Sequence, residues 1–169
     1  MGLEIEYKFL LKEIPNLSKC EEIDIFQGYL ADDTNERIAL RVRASNCSVP
    51  EFGKQGFITV KGPSQVERAN TEFEMEIPHK YAMVLLDKCD RVLKKTRYQW
   101  HGTDGLVWEI DNFWGPLEGM WIAEVEVPSP DVIPVLPYWV GKDVTHVKAF
   151  ANIKLIEMTE IPKEYYDRD

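Results

Sequence analysis

The stretch Glu4-Ile5-Glu6-Tyr7-Lys8, close to the N-terminus, decides which fold the sequence predicts. Successive side chains of a β-strand point to opposite faces, so Glu4, Glu6 and Lys8 lie together on one face of the predicted strand. Ile5 and Tyr7 lie on the other face. The apolar face is expected to pack on the protein body, which leaves two carboxylates and an ammonium group in a row on the opposite surface.

Seven further segments have strand character, and most of them repeat this separation of charged from apolar side chains. They are residues 25–30, 38–44, 57–62, 71–77, 94–100, 106–113 and 121–127. Basic side chains collect on some of these strands and acidic side chains on others. The basic set is Arg41, Arg43, Lys61, Lys95 and Arg97, and the acidic set is Glu4, Glu6, Glu72, Glu74, Glu76, Glu109, Asp111, Glu124 and Glu126. Short connections favour antiparallel pairing of the strands.

The segregation of charge indicates which face of the sheet lies inside. On an exposed antiparallel sheet the outward charges are usually mixed with Thr, Ser and Gln, and cross-strand salt bridges on such a sheet are the alternative interpretation. Closing the sheet with its charged faces inward gives a hydrated tunnel with a basic wall and an acidic wall. We therefore predict an α+β, mainly β fold: an eight-stranded antiparallel closed barrel whose apolar outer face is covered by a few helices and loops.

The two walls indicate what the tunnel binds. Buried charge without a partner is costly, so the walls imply ligands that neutralise them. The planar fork of arginine suits phosphate oxygens, whereas carboxylates suit a hard divalent cation, Mg²⁺ or Mn²⁺. A small polyphosphate bridged by such a metal meets both demands.

Outside the barrel, residues 79–92 change to helical spacing and predict an amphipathic helix after Pro78. Thr145 is the predicted N-cap of a last helix that carries Val147 and Phe150. We expect residues 1–160 to form a single domain, and we expect the polar tail, residues 161–169, to be frayed.

Composition narrows the class of protein and its partners. The 169 residues carry a formal net charge of −9, which argues against a nucleic-acid partner. No apolar run approaches the roughly 20 residues of a membrane span, and no membrane partner is expected. Cys20, Cys47 and Cys89 are odd in number and widely spaced, which suits a reducing compartment. We expect a soluble cytoplasmic protein, either a monomer or a homodimer.

The ordered set of motifs resembles the CYTH superfamily, the triphosphate tunnel metalloenzymes, over nearly the whole chain. The motifs are ExExK at residues 4–8, Arg41-Val42-Arg43, Thr59-Val60-Lys61-Gly62, the strand with Glu72, Glu74 and Glu76, Lys95-Thr96-Arg97-Tyr98, Trp108-Glu109-Ile110-Asp111 and Glu124-Val125-Glu126. The resemblance implies an eight-stranded antiparallel tunnel that acts on a small-molecule triphosphate with Mg²⁺ or Mn²⁺.

The same resemblance implies a role for each group of site residues. It implies phosphate contacts by Lys8, Arg41, Arg43, Lys61, Arg97 and Lys148, and metal binding by Glu4, Glu6, Asp111, Glu124 and Glu126, with support from Glu109 and Glu74. The catalytic residues are expected to be Glu6 or Glu74, which would orient water, and Lys95, which would stabilise the leaving oxygen. Lys95 and Lys148 are expected to be mobile or terminal lysines that close over the substrate. Family members usually carry a tyrosine near the last lysine, and this chain has Phe150 instead.

Three functions are compatible with these motifs. Gln27-Gly28-Tyr29-Leu30 resembles the short bacterial triphosphatases, which favours metal-dependent hydrolysis of inorganic tripolyphosphate to pyrophosphate and phosphate. The alternatives are a class IV-type adenylyl cyclase or a nucleoside or thiamine triphosphatase, and a non-catalytic protein that binds polyphosphate or nucleotide. The tryptophans that could form a base pocket are expected to lie in the external core instead; they are Trp100, Trp114 and Trp121.

Overall fold

Nine β-strands form the framework of the computed structural model, which describes residues 2–33, 38–65 and 69–168. The strands are β1 (Gly2–Leu11), β2 (Glu21–Asp33), β3 (Ile38–Cys47), β4 (Lys54–Pro63), β5 (Ala69–Ile77), β6 (Leu93–His101), β7 (Val107–Phe113), β8 (Trp121–Glu126) and β9 (Val140–Asp143). The α-helices within the described ranges are α1 (His79–Leu86) and α2 (Asn152–Leu155), and short 3-10 turns cover Gly115–Leu117, Lys148–Phe150 and Lys163–Tyr166.

Strand β1 closes the sheet into a barrel because it is paired along both edges. It pairs with β5 through residues 2–5 and with β8 through residues 6–10. The order around the barrel is β1-β5-β4-β3-β2-β6-β7-β8 and back to β1, and every neighbouring pair is antiparallel. The short strand β9 adds to β1 at Phe9 and Leu11. The predicted closed eight-stranded antiparallel barrel is therefore confirmed, with one additional strand outside the closed ring.

The register places the charged faces inside the barrel and apolar faces outside. Lys8 lies opposite Glu124, and Arg97 lies opposite Asp111. The outward neighbours on these strands form a buried cluster with the segment before β9: Phe9, Leu11, Trp108, Ile110, Ala123, Val125, Trp139 and Val140. Among the predicted external tryptophans, Trp100 and Trp121 pack against this cluster, whereas Trp114 is half-exposed.

Apolar side chains fill one end of the barrel. Leu10, Leu93, Phe113 and Ile122 occupy the inward position one step beyond the charged residues on four strands. They belong to what we call the end cluster: Leu10, Leu93, Phe113, Leu117, Met120, Ile122, Val144, Phe150 and Leu155. Its last three members come from the C-terminal part of the chain, so residues distant in sequence close this end. The predicted tunnel is thus a cavity with one closed end.

Helix α1 ends at Leu86, earlier than the predicted range to residue 92. It packs Ala82 and Leu86 against the outer face of β3. The helix lies close to β4, because a Cβ added at Gly56 would be only 2.8 Å from the Ala82 Cβ atom. Residues 87–92 then form the connection to β6, whose first residue must reach the end cluster.

The predicted N-cap at Thr145 is wrong. The Thr145 hydroxyl accepts a hydrogen bond from the Lys8 backbone N–H at 3.0 Å, so this side chain fastens the C-terminal segment to β1. The last helix, α2, is only four residues long and is preceded by Ala151, which makes no side-chain cap.

The tail that we expected to be frayed is packed against the barrel. Ile161 and Tyr165 contact the end cluster. The Tyr165 hydroxyl accepts a hydrogen bond from the Trp121 N–H at 3.2 Å, and the Arg168 guanidinium donates to the Leu11 carbonyl at 3.3 Å.

The apolar outside of the barrel is covered only in part, which corrects a second expectation. Helix α1 contacts β2, β3 and β4. On β5 the outward side chains Phe73 and Met75 stay 49% and 48% exposed. The eight-residue helix is too short to cover the outer face of β5 as well. Neither of the described helices has the length and apolar character of a membrane span.

We expect Phe150→Ala to destabilise the protein strongly, because Phe150 is fully buried in the end cluster. Removal of a buried phenyl group should lower the free energy of unfolding by about 3–5 kcal/mol, measured by urea denaturation. Tyr138→Ala is the control, since Tyr138 is 68% exposed and its loss should change stability by less than about 0.5 kcal/mol. Equal effects of the two substitutions would contradict the structural role of the end cluster.

Candidate active site

The inward faces of the strands enclose a polar cavity of about 200 Å³, which we call the main cavity. It is lined by seven carboxylates, five cationic side chains and two amides. These are Glu4, Glu6, Glu72, Glu74, Glu109, Glu124 and Glu126, then Arg41, Arg43, Lys61, Lys95 and Arg97, and finally Gln27 and Asn152. The predicted walls therefore meet around one space, and carboxylates outnumber cations there.

A second, smaller cavity adjoins the main one at the end away from the end cluster, and we call it the mouth cavity. It has about 130 Å³ and shares Arg43, Arg97 and Glu109 with the main cavity. Its other lining residues are uncharged: Ile23, Ile25, Ser45, Gln55, Phe57 and Gln99. The charge is therefore concentrated in the inner part of the barrel.

Strand β3 supplies two arginines to the main cavity. The Arg41 and Arg43 guanidinium groups each lie 3.7 Å from the same Glu74 oxygen. The Nε atoms of both arginines are buried and have no hydrogen-bond partner among the described residues. Burial, together with Arg41 and Arg97, lowers the pKa of Arg43 to about 10. Arg43 therefore remains cationic at neutral pH, and the Nε atoms of both arginines could donate hydrogen bonds to a phosphate.

A buried ion network joins β6, β7 and β8. The carboxylate of Asp111 is fully buried and accepts hydrogen bonds from Arg97 at 2.7 and 2.9 Å and from Lys95 at 2.6 Å. Glu124 contacts Lys8 at 3.0 Å and Arg97 at 3.3 Å. Burial disfavours the charged form of Glu124, but Lys8, Lys95 and Arg97 outweigh it and hold the pKa of Glu124 well below its usual range.

This network changes the interpretation of Asp111 and Lys95. Both oxygens of Asp111 are engaged by cations, and Asp111 does not line the main cavity. The Lys95 side chain is 1% exposed and is held by Asp111, which is the opposite of the mobile lysine expected from the sequence. Asp111 thus positions Lys95 and Arg97 instead of facing a ligand directly.

On the acidic side, Glu6 and Glu126 lie directly opposite each other on β1 and β8. Neither forms an ion pair with the described residues. Burial and the Glu124 charge raise the pKa of Glu6 to about 8, and burial and Glu4 raise the pKa of Glu126. Two facing carboxylates without a cation form a place where positive charge would be strongly stabilised.

Lys61 neutralises the neighbouring carboxylates. Its ammonium group lies 2.5 Å from Glu4 and 3.4 Å from Glu72. Burial lowers the pKa of Lys61, but the charges of Glu4 and Glu6 outweigh it, so the pKa is raised. In the described ranges, no group of three or more acidic, histidine or cysteine side chains is arranged as a ready metal site. The carboxylate oxygens of the main cavity suit a hard cation, but these side chains would have to move closer together to bind one.

The structure does not bring every predicted site residue into the main cavity. Lys148 is exposed in the 3-10 turn Lys148–Phe150, because that turn directs Phe150 into the end cluster. Lys8 lies behind the cavity lining, where its ammonium group donates to the Phe150 carbonyl at 3.0 Å. The remaining predicted residues, apart from Asp111, line the cavity.

Two cavity residues were missed by sequence analysis. Gln27 lies on the same face of β2 as Ile23 and Ile25, so the inward face of this strand is partly apolar and charge segregation does not indicate it. Asn152 begins α2 and reaches the cavity from the C-terminal segment, and no sequence pattern indicates this.

Comparison with known proteins places this geometry in a family. No protein-family profile matches the chain. An inorganic triphosphatase of Acetivibrio thermocellus is 33% identical over 159 residues, which cover 93% of this chain and 95% of that protein. An inorganic triphosphatase of Nitrosomonas europaea is 31% identical over 151 residues, which cover 88% of this chain and 93% of that protein.

Solved structures agree with the sequence relatives. The crystal structure of the inorganic triphosphatase NE1496 has a TM-score of 0.63 and 31% identity, and the match covers 94% of this chain and 99% of that one. The structure of the PH1819 protein from Pyrococcus horikoshii OT3 has a TM-score of 0.54 and 22% identity, so it supports the fold alone. With a closed charged barrel and relatives that match it nearly end to end, this chain belongs to the inorganic triphosphatase family, as its resemblance to the triphosphate tunnel metalloenzymes implied.

Proposed function

We propose that this protein hydrolyses inorganic tripolyphosphate to pyrophosphate and phosphate inside the main cavity, with the help of a divalent cation. The observation that carries the proposal is the pair of opposed walls. One wall offers arginine donors without partners, and the other offers Glu6 and Glu126 without a cation. A metal-bound triphosphate would satisfy both.

The phosphate chain would be held by the cationic side chains of the cavity. Arg41 and Arg43 present guanidinium groups, whose forked donors match phosphate oxygens. Arg97 is fixed by Asp111, so it is already oriented when the substrate enters. Pre-oriented donors stabilise the charge that develops in phosphoryl transfer without a cost of reorganisation. Lys8 and Lys61 add positive charge next to this set.

The charge balance of the cavity favours a bound metal ion. Seven carboxylates already exceed five cations, and a triphosphate adds further negative charge. The oxygen donors of Glu4, Glu6, Glu124 and Glu126 suit Mg²⁺ or Mn²⁺. When bound, such a cation neutralises phosphate oxygens and lowers the pKa of coordinated water.

The attack of water on a terminal phosphorus breaks the bridging P–O bond and releases pyrophosphate. We assign the orientation of this water to Glu74 or Glu6. Glu74 accepts a hydrogen bond from the Thr59 hydroxyl at 2.8 Å, which fixes its carboxylate between the two arginines. Lys95 lines the cavity and would stabilise the negative charge on the leaving oxygen.

Hydrolysis of a nucleoside triphosphate is the second candidate function, and the mouth cavity favours it. Its uncharged lining includes Phe57, which carries the Arg43 guanidinium 4.8 Å from its ring centroid. An aromatic ring and several amide or hydroxyl groups next to the phosphate site could accept an organic group. Tripolyphosphate remains the preferred substrate because the main cavity by itself accounts for its binding.

The cysteines support a reducing compartment, which we propose to be the cytoplasm. Cys20, Cys47 and Cys89 are all free thiols in the structure. Burial raises the pKa of Cys20 and Cys89, so neither resembles an activated nucleophile.

Substitutions at Glu126 and at Asp111 should differ in their effect on the metal requirement of the enzyme. We expect activity to vanish in EDTA and to return with Mg²⁺ or Mn²⁺. Glu126→Gln should raise the metal concentration needed for half-maximal phosphate release. Asp111→Asn should leave that concentration unchanged but lower the free energy of unfolding by about 3–5 kcal/mol, because it leaves the buried Lys95 ammonium group without its ion-pair partner.

Glu118→Gln, an exposed carboxylate outside the barrel, is the control for both variants. Full activity in chelator would refute the metal requirement. If Asp111→Asn changes the metal concentration needed for half-maximal activity but leaves the free energy of unfolding unchanged, Asp111 is a metal ligand after all.

Arg41→Ala and Arg43→Ala should each lower kcat/KM for tripolyphosphate by about 100-fold or more, because each removes a pre-oriented donor to phosphate. The measurement is steady-state phosphate release. Arg91→Ala is the matched control, since Arg91 is exposed and donates only to the Glu157 carbonyl. If the two cavity arginines were ordinary surface ion pairs worth about 0–1 kcal/mol, all three variants would keep near-normal kinetics.

Reaction in oxygen-18 water tests the proposed chemistry. Each turnover of tripolyphosphate should give one labelled orthophosphate and one pyrophosphate, detected by mass spectrometry, because water supplies the new P–O bond. Parallel reactions with ATP and thiamine triphosphate rank the alternatives. An enzyme that leaves tripolyphosphate intact but converts ATP to cyclic AMP and unlabelled pyrophosphate would overturn the assignment as a hydrolase.

A further inference from the structure

Gln27 is a buried glutamine whose amide nitrogen has no hydrogen-bond partner among the described residues. Its side chain is 1% exposed and lines the main cavity. Buried polar groups in folded proteins nearly always have a partner, because an unmatched donor keeps the full penalty of leaving water. The two arginines with unmatched Nε atoms line the same cavity. Gln27 therefore shares with them a buried donor that has no partner, on a side chain that lines this cavity.

The position of Gln27 is fixed by the strands around it. Its backbone pairs with Arg43 on β3 and with Leu93 on β6. Arg43 is a proposed phosphate contact, and Leu93 belongs to the end cluster. Gln27 thus lies where the charged lining meets the closed end of the barrel.

Contacts outside the barrel hold this part of β2 in place as well. The next residue, Gly28, has no Cβ, and an added one would be only 2.7 Å from the Cys89 Sγ atom and 3.2 Å from the Arg91 carbonyl oxygen. The connection after α1 therefore lies directly against the backbone at Gly28. With pairing on both edges and this contact behind it, β2 cannot withdraw Gln27 from the cavity without disrupting the barrel.

We propose that Gln27 is a substrate-positioning residue, whose Nε2 donates a hydrogen bond to a phosphate oxygen of the triphosphate in the main cavity. This inference rests on the proposed function. Ionised phosphate oxygens are acceptors, so they match an amide N–H. A neutral donor also adds a directional contact without a further charge that would need compensation within the barrel.

Asn152 does not share this role. It also lines the main cavity, but its unmatched buried atom is the amide oxygen Oδ1. An acceptor directed at phosphate oxygens is repelled by them. The Gln27 N–H is a donor and therefore fits a polyanion. We assign substrate positioning to Gln27 and not to Asn152.

The test compares Gln27→Leu and Gln27→Glu with the wild-type enzyme, using Mg²⁺ and inorganic tripolyphosphate. Gln27→Leu keeps a similar volume but removes the donor, so kcat/KM should fall about 10- to 100-fold, the range expected for a lost hydrogen bond to a charged group. Gln27→Glu places a carboxylate against phosphate and should lose more. The free energy of unfolding of Gln27→Leu, measured in urea without substrate, should stay equal or rise, because the unmatched amide is gone.

Gln65→Leu is the matched control, because Gln65 is an exposed glutamine that lines neither cavity. It should leave kcat/KM unchanged. If Gln27→Leu does not fold, Gln27→Met carries the same expectation, since its unbranched side chain keeps the shape of glutamine without the donor.

If Gln27 had only a structural role, Gln27→Leu could not lower kcat/KM while the free energy of unfolding stayed equal or rose. Kinetics of Gln27→Leu within about threefold of the wild type, or a loss that follows only its folded fraction, would overturn the inference and leave the proposed function intact. A wild-type protein that does not hydrolyse tripolyphosphate would overturn both. The two failures are therefore distinguishable in one set of assays.

Discussion

The site depends on the contact between Arg97 and the fully buried carboxylate of Asp111. Burial of these charges is tolerated only because the guanidinium donates two hydrogen bonds to Asp111 and Lys95 donates a third. The same guanidinium contacts Glu109 on β7 and Glu124 on β8. One side chain therefore joins three carboxylates and holds β6 against its neighbours. A cavity lined with charge can persist because this network fixes each charge beside an opposite one.

Glu6 and Glu126, on the neighbouring strands β1 and β8, are not neutralised in this way, and the proposed function depends on this difference. Closure of the barrel brings the first strand of the chain between β5 and β8, so Glu6 faces Glu126 across a strand pair. Like charges directly opposite each other destabilise a sheet. Burial and the Glu124 charge raise the pKa of Glu6, and burial and the Glu4 charge raise the pKa of Glu126. A bound metal ion would favour the charged forms of both carboxylates.

Side-chain alternation accounts for most of what the sequence predicted. A period of two residues assigns each side chain to a face, and the segregation of charge indicates which face is inside, so Arg41, Arg43, Glu6 and Glu126 line the cavity as expected. Alternation cannot choose partners within the barrel, however. Asp111 lies on the predicted face, but both of its carboxylate oxygens accept hydrogen bonds from Lys95 and Arg97. Loop and helix boundaries were also missed, because the positions of Thr145 and Lys148 depend on contacts with residues more than a hundred positions away. A neutral residue such as Gln27 carries no charge signal at all.

Those distant contacts also determine how the cavity acquires its shape. The Lys8 ammonium group contacts Glu124 in the barrel and donates to the Phe150 carbonyl, a residue 142 positions later in the chain. The side chain of Phe150 lies in the end cluster with Leu10 and Leu93. The C-terminal segment therefore supplies part of the closed end of the barrel, beside the buried ion network. Because ion pairs weaken where water has access, the electrostatic properties of the site are properties of the whole folded chain. The local sequence of β1 supplies the charges, and the far end of the chain supplies the low-polarity surroundings in which they act.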